Sequence, residues 1–188
     1  MGRDLSDLSL PSLIFIMRFC RRCAAASRRT AYLIAGSLVT VIVRIEELAG
    51  YNSGMDTYSW YSTLIKPTWS PPAWLFGPAW TVLYAIIAVS FSTVFYKAFT
   101  RQIPWIVALP FALNLIFNFA FTPLQFGLKN KLLASIDILL VLGTLIWALI
   151  ALWQAAPGLR WVVYVNIPYV LWVSFATILQ LTITYLNR

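Results

Sequence analysis

The chain has 188 residues, of which 61% are hydrophobic and only 11% charged, and its formal net charge is +8. An average soluble domain has about 25% charged residues, so this chain cannot cover a water-facing surface with polar groups and is predicted to lie mostly in lipid. It has no histidine, and its two cysteines, Cys20 and Cys23, cannot supply the four ligands of a zinc site. We therefore expect neither a bound metal nor a nucleic-acid partner.

Residues 1–29 form a basic segment that contains six arginines. Its apolar piece, Leu13 to Met17, is too short for the core of a signal peptide, so the segment is predicted to be a tail. The positive-inside rule then places the amino terminus in the cytoplasm. Met17 is an alternative start, and without the tail the basic residues predict no orientation.

Five stretches are long and apolar enough to cross a bilayer as helices. They cover approximately residues 30–48, 73–96, 103–125, 132–154 and 160–186. The first is adequate only if Arg44, Glu46 and Glu47 lie at its end, near the membrane surface. The last four are joined by tight connections, which put sequential helices side by side. The sequence therefore predicts an all-α, multi-pass integral membrane protein, with a five-helix domain over residues 30–188.

The connection between the first two predicted spans differs from the others, because it is about 25 residues long and rich in aromatic residues. Pro71 and Pro72 stiffen its end and prepare a helix start. Two interpretations are open: a lid or binding loop, or an aromatic belt at the membrane surface.

Three polar residues fall inside predicted spans, where a polar group needs a partner or a function. Asn114 and Asn118 lie about one helical turn apart on the third span, and Asp137 lies near the start of the fourth. They either form interhelical hydrogen bonds that fix the helix register or line a ligand cavity.

Two spans carry aromatic faces. Trp80 and Tyr84 share one face of the second span, and Trp172 and Phe175 share one face of the last. If both faces turn inward, they would either pack against each other or enclose a cavity for a planar hydrophobic ligand.

The segment from Trp60 to Tyr84 reads WYSTLIKPTWSPPAWLFGPAWTVLY. It resembles the signature of the translocator protein family, also called the tryptophan-rich sensory protein or peripheral-type benzodiazepine receptor family. Further similarities follow at Leu113–Asn114, Asn118, Thr122–Gly127, Asp137–Leu140 and Pro168–Ala176. The resemblance implies a five-helix bundle, commonly dimeric, with a long first loop that closes a pocket for tetrapyrroles such as protoporphyrin. In animal members it also implies sterol and drug binding, and it implies no required cofactor.

The resemblance and the residue patterns together give one candidate ligand-binding set. Trp80 and Trp172 would offer flat aromatic faces to a macrocycle, and Lys66 would meet a propionate at the wet end. The full set is Trp60, Lys66, Pro71, Pro72, Trp74, Trp80, Tyr84, Asn114, Asn118, Phe121, Asp137, Trp172, Phe175, Ala176 and Leu179.

Some positions depart from the family pattern. Phe121 stands where the family has tryptophan, Gln125 replaces the first phenylalanine of a Phe-Phe-Gly motif, and Gln180 replaces an asparagine. An indole supplies an N–H donor that phenylalanine lacks, so the departures bear on which ligand fits. Leu181, Tyr185 and Arg188 match the loose cholesterol motif, although Leu181 stands where animal members have the motif's tyrosine.

Three functions are consistent with these observations. The first is a receptor or carrier for tetrapyrroles or similar hydrophobic ligands, in transport or stress regulation. The second is an enzyme that degrades porphyrin in light, with Trp80 and Trp172 as electron donors. The third is a structural or partner-binding membrane protein in which Ala108 and Ala112 form a close helix contact.

Overall fold

The computed structural model describes residues 60–188. The predicted tail over residues 1–29, the first predicted span over 30–48 and the beginning of the long loop lie outside the described residues. The described part is all-helical and contains no β-strand. The fold class is therefore confirmed as helical for residues 60–188, while the five-helix count and the full length of the loop stay predictions.

Five α-helices follow residue 75. They are α1 (Phe76–Phe99), α2 (Trp105–Thr122), α3 (Lys131–Ala155), α4 (Arg160–Val165) and α5 (Ile167–Leu186). A 3₁₀ turn, Ala73–Leu75, leads into α1, and a π-helical turn, Pro123–Gly127, extends α2. Four segments are long and apolar enough to cross a membrane: Ala73–Phe99, Trp105–Gly127, Lys131–Ala155 and Ile167–Leu186. They correspond to the last four predicted spans.

Prolines explain where α2 begins and ends. Pro104 occupies the N-cap position in an extended conformation, so α2 begins at Trp105 rather than at the expected residue 103. Pro123 has no N–H to continue the α-helical ladder. The chain instead forms a π-helical turn, in which the N–H of Leu128 donates to the carbonyl of Pro123 at 2.8 Å.

The last span differs from the continuous helix expected over residues 160–186. The structure divides it at Asn166 into the short α4 and the long α5. Pro168 lies in the first turn of α5, where its missing N–H costs little, whereas it would clash with a carbonyl inside a continuous helix. Asn166 bridges the break, because its side-chain amide donates to Ser90 Oγ at 3.0 Å and to the carbonyl of Val162 at 2.8 Å.

Helix α3 lies at the centre and packs mainly against α2 and α5. Ala108 on α2 is completely buried in the core, which lets helices approach closely within one chain. Ala108 is therefore not available for contact with a second copy, which contradicts its expected part in association between proteins. A homodimer remains a prediction.

The outward faces of the bundle are apolar, as lipid requires. Large hydrophobic side chains that are exposed on the isolated chain occur along every spanning helix, for example Val82, Val89, Ile116, Leu139, Ile150, Leu171 and Ile178. The two ends of the bundle can be told apart by their connections. We call the end that carries residues 60–75, the start of α3 and the end of α5 the lid end, and the end with residues 100–104 and 156–159 the opposite end.

Candidate ligand-binding site

Seven aromatic side chains gather near the lid end, from three parts of the chain. The Trp80 ring stacks on Tyr84 at 5.2 Å between centroids and meets the edge of Tyr169 at 6.4 Å. Trp172 contacts Phe76 and Phe175, with centroids 5.8 and 5.9 Å apart. We call this group the aromatic cluster; its members are Trp69, Phe76, Trp80, Tyr84, Tyr169, Trp172 and Phe175.

The indole N–H of Trp172 is the unusual polar group of this cluster. Its Nε1 atom is buried and has no hydrogen-bond partner in the described part of the chain. A buried donor without an acceptor costs about 1–3 kcal/mol. An acceptor atom on a bound molecule would remove that cost, and apolar rings alone would not.

Beneath the cluster, a chain of hydrogen bonds joins all four spanning helices. Tyr84 donates its hydroxyl to Asn118 Oδ1 at 3.2 Å, and the Asn118 amide donates to the Tyr169 hydroxyl at 2.9 Å. Tyr169 in turn donates to Asn114 Oδ1 at 3.1 Å, and the Asn114 amide donates to the carbonyl of Val141 at 2.8 Å. The two asparagines therefore fix the mutual register of the helices and form the floor of the aromatic cluster.

Asp137 is not part of that chain of hydrogen bonds. Its side chain is buried on α3, and its Oδ2 atom has no partner within residues 60–188. The structure thus brings Asn114 and Asn118 together with Tyr169, but it does not join Asp137 to either amide. Any part that Asp137 has in binding is separate from the amide floor.

The segment before α1 lies over the lid end and is held there by the end of α5. The side chain of Asn187 accepts from the Ile65 N–H at 2.9 Å and donates to the Ile65 carbonyl at 2.8 Å. Trp69 reaches the cluster through an edge contact with Phe175, with centroids 5.9 Å apart. We call residues 60–72 the lid segment, since Trp69 covers the cluster from this side.

Lys66, the predicted partner of a propionate, lies over an aromatic ring at the lid end. Its Nζ atom is 4.3 Å from the centroid of Tyr61, and Tyr61 contacts Phe126 at 5.9 Å. Burial raises the pKa of the Tyr61 phenol above its ordinary value of 10. The ring is therefore neutral at physiological pH, and the ammonium is held by a cation–π contact at the lid end.

The remaining predicted residues fall into two groups. Trp74 is 70% exposed and Pro72 is also exposed, so neither points into the bundle. Leu179 is buried, and four others are half-buried: Trp60, Pro71, Phe121 and Ala176. The tryptophan that covers the cluster is thus Trp69, five residues before the predicted Trp74.

Three members of the cluster were absent from the predicted set: Trp69, Phe76 and Tyr169. Tyr169 follows Pro168 inside the motif that carries the resemblance, and it lies three residues before Trp172, hence on a nearby face of the helix. This helical spacing from Trp172 could have predicted that Tyr169 belongs to the cluster. No comparable periodicity exists in the lid segment, where the choice between Trp69 and Trp74 depends on the fold.

Two of the departures from the family pattern are partners. The Gln180 side chain on α5 donates to Gln125 Oε1 at 3.0 Å, and both residues are buried. A buried amide without a partner is costly, so each glutamine satisfies the other. Gln125 and Gln180 therefore form one hydrogen bond between the π-helical turn and α5.

The comparison with known proteins agrees with the helices and the tryptophan-rich segment. The model of the TspO/MBR family matches residues 33–186, which is most of the chain. The chain belongs to the TspO/MBR family. It is 38% identical over 130 residues to the "Tryptophan-rich protein TspO" of Bacillus cereus, a match that covers 69% of this chain and 81% of that relative.

Two further TspO/MBR relatives show how wide this similarity is. The "Uncharacterized membrane protein YtaB" of Bacillus subtilis is 35% identical over 82% of this chain and 97% of its own length. The human "Translocator protein" is 32% identical over 64% of this chain and 70% of its own length. Family membership and the four apolar helices together identify a multi-pass integral membrane protein.

Proposed function

We propose that this TspO/MBR protein binds planar tetrapyrroles such as protoporphyrin, or similar hydrophobic ligands, within the aromatic cluster. The observation that carries the proposal is the buried, unpartnered N–H of Trp172 among flat rings beneath Trp69. A tetrapyrrole offers a flat apolar body for ring contacts and carboxylate or ring acceptors for the indole donor. Binding in this site supports a role in tetrapyrrole transport, sensing or stress regulation in a membrane.

The amide floor supports the same site from below. Asn114 and Asn118 each bond to protein partners through both the oxygen and the nitrogen of the amide, so they hold Tyr84 and Tyr169 in place. A guest would enter from the lid side, where the ring of Trp69 makes an edge contact with Phe175 over the cluster. Binding therefore requires that this contact separate.

The test is a titration of the purified protein with protoporphyrin, with the porphyrin absorption band as the readout. Trp172→Phe keeps a ring but removes the donor, so its dissociation constant should rise about three- to tenfold. Trp80→Phe should also weaken binding, because it reduces the stacking face on Tyr84. Trp153→Phe is the matched control, since Trp153 contacts Tyr164 at the opposite end.

Two results would count against the proposal. One is the absence of saturable binding to the wild-type protein. The other is equal affinity for all three variants and the wild type, since the aromatic cluster would then have no part in recognition.

A light-dependent degradation of bound porphyrin is the second candidate function. It is favoured by the position of two indoles, Trp80 and Trp172, in one cluster with the proposed ligand. An indole can donate an electron to the excited macrocycle; dioxygen then adds to the reduced ring, and the electron returns to the indole radical, so that dioxygen is the net oxidant of the porphyrin. Under illumination the complex should lose porphyrin faster than free porphyrin bleaches, and the Trp80→Phe and Trp172→Phe variants should slow that loss. A rate equal to that of free porphyrin would exclude this function.

A further inference from the structure

A groove of about 980 Å³ lies at the lid end between the start of α3 and the end of α5. It shares no residue with the candidate ligand-binding set. The lining residues that matter for its chemistry are Lys129, Lys131, Leu132, Leu181, Tyr185 and Arg188.

The charged side chains of this groove are all positive. Lys129, Lys131 and Arg188 line it, and no acidic side chain does. Asp137 is the one acidic residue within residues 60–188, and it is buried in α3 outside the groove lining. A ligand that fits the groove by charge complementarity is therefore an anion.

Two of the cations are held in defined positions. The Lys131 ammonium donates to the main-chain carbonyl of Asn187 at 2.5 Å, which uses one of its three donors. The Arg188 guanidinium lies 4.2 Å from the centroid of Tyr185, so it stacks on the groove wall. Charges that are already positioned cost less to order when a ligand binds.

The rest of the groove separates polar from apolar surface. Ser135 and Thr184 lie 2.7 Å apart through their hydroxyl oxygens and are engaged with each other. Leu132, on α3, and Leu181, on α5, are both exposed on the isolated chain. A ligand lying here would meet cations at the end of the helices, Leu132 beside them and Leu181 further along α5.

We propose that this groove binds one anionic glycerophospholipid, with its phosphate at Lys129, Lys131 and Arg188 and an acyl chain against Leu132 and Leu181. The ends of spanning helices lie at the level of lipid headgroups, where lysine and arginine side chains can pair with the phosphate of an anionic lipid. A free phosphate would use the cations alone. The apolar wall is what selects a lipid.

The experiment is native mass spectrometry of the purified full chain with equal amounts of phosphatidylglycerol and phosphatidylcholine. The wild type should retain one phosphatidylglycerol in preference to phosphatidylcholine. The double variant Lys129→Gln/Arg188→Gln should lose that preference by about tenfold or more, at about fivefold per cation. Lys131 is left intact because it also bonds the end of α5.

The opposite end provides a matched control, Arg101→Gln/Arg160→Gln. Arg101, like Lys129, has a positive φ, at 56° and 51° respectively. Arg160 stacks on Trp153 at 4.5 Å, as Arg188 does on Tyr185. The control should retain the wild-type preference for phosphatidylglycerol within about twofold, because it removes the same charge from outside the groove.

Four results would overturn this proposal. Equal losses in both double variants would mean a general surface attraction, and displacement of the lipid by millimolar inorganic phosphate would mean a simple anion site. Retention of a sterol with no dependence on the cations would replace the phospholipid by a neutral ligand. Displacement of the lipid by protoporphyrin, one for one, would make the groove a porphyrin site. The Lys129→Gln/Arg188→Gln variant should bind protoporphyrin with the wild-type affinity, because the groove and the candidate ligand-binding set share no residue. A failure of the lipid proposal can therefore be distinguished from a failure of the proposed function.

Discussion

The hydroxyl group of Tyr169 is the central link in the hydrogen bonds between helices. It accepts from the Asn118 amide at 2.9 Å and donates to Asn114 Oδ1 at 3.1 Å. Tyr169→Phe removes both bonds while keeping the buried ring and its edge contact with Trp80. The substitution therefore tests the polar link without creating a large cavity.

The loss of stability expected for Tyr169→Phe depends on which polar groups the substitution leaves without a partner. Interhelical hydrogen bonds in membranes average about 0.6 kcal/mol, with a maximum near 1.7 kcal/mol. The Asn114 amide keeps its bond to Val141, and Asn118 keeps its bond from Tyr84, so each loses one partner and not all. We expect the free energy of unfolding to fall by about 1–3 kcal/mol.

The assay is reversible unfolding in mixed micelles, followed by helical circular dichroism. Tyr164→Phe is the control, because Tyr164 is exposed and contacts only the ring of Trp153 among the aromatic side chains of residues 60–188. It should change the free energy of unfolding by less than about 0.5 kcal/mol. If both phenylalanine variants unfolded with the same free energy as the wild type, the link between the helices would not stabilise the bundle.

Three further predictions follow from other contacts. Asn187→Ala should increase the rate of hydrogen exchange at the Ile65 amide, because it removes both side-chain hydrogen bonds from Asn187 to Ile65. The control Thr182→Ala should leave that rate unchanged. Equal rates in the two variants would show that Asn187 does not hold the lid segment. In a double-mutant cycle, the losses of stability in Gln125→Leu and Gln180→Leu should add up to more than the loss in the double variant, with a coupling of about 0.5–1.7 kcal/mol. Strict additivity would show that the pair does not interact. Ala108→Leu should cost about 1–3 kcal/mol of stability by overpacking the core, at any protein concentration; a cost that disappears on dilution would place Ala108 between two copies instead.

The last four spans could be predicted because lipid excludes charge, and stretches without charged residues therefore mark them directly. Their ends were less predictable, since they depend on backbone chemistry. Pro104 delays the start of α2, and Pro168 divides the last span at Asn166. Hydropathy does not respond to a missing N–H, so hydropathy alone does not locate these breaks.

The candidate site shows the same division between periodic and non-periodic structure. Trp80 and Tyr84 were placed on one face because helical spacing dictates it, and the structure stacks them. The lid segment has no such repeat, so Trp69 could not be distinguished from Trp74 by its position. Gln125 and Gln180 are 55 residues apart, and their pairing depends on the register of α5 against the π-helical turn.

The central claim is that the Trp172 donor meets the ligand inside the aromatic cluster. It is tested most directly by the indole ¹⁵N–¹H resonances of the protein in lipid nanodiscs, assigned with Trp172→Phe and Trp153→Phe. On addition of protoporphyrin, the Trp172 N–H resonance should shift as it gains an acceptor beside the macrocycle, while that of Trp153 stays in place. A Trp172 resonance that does not move at saturating protoporphyrin would contradict the account.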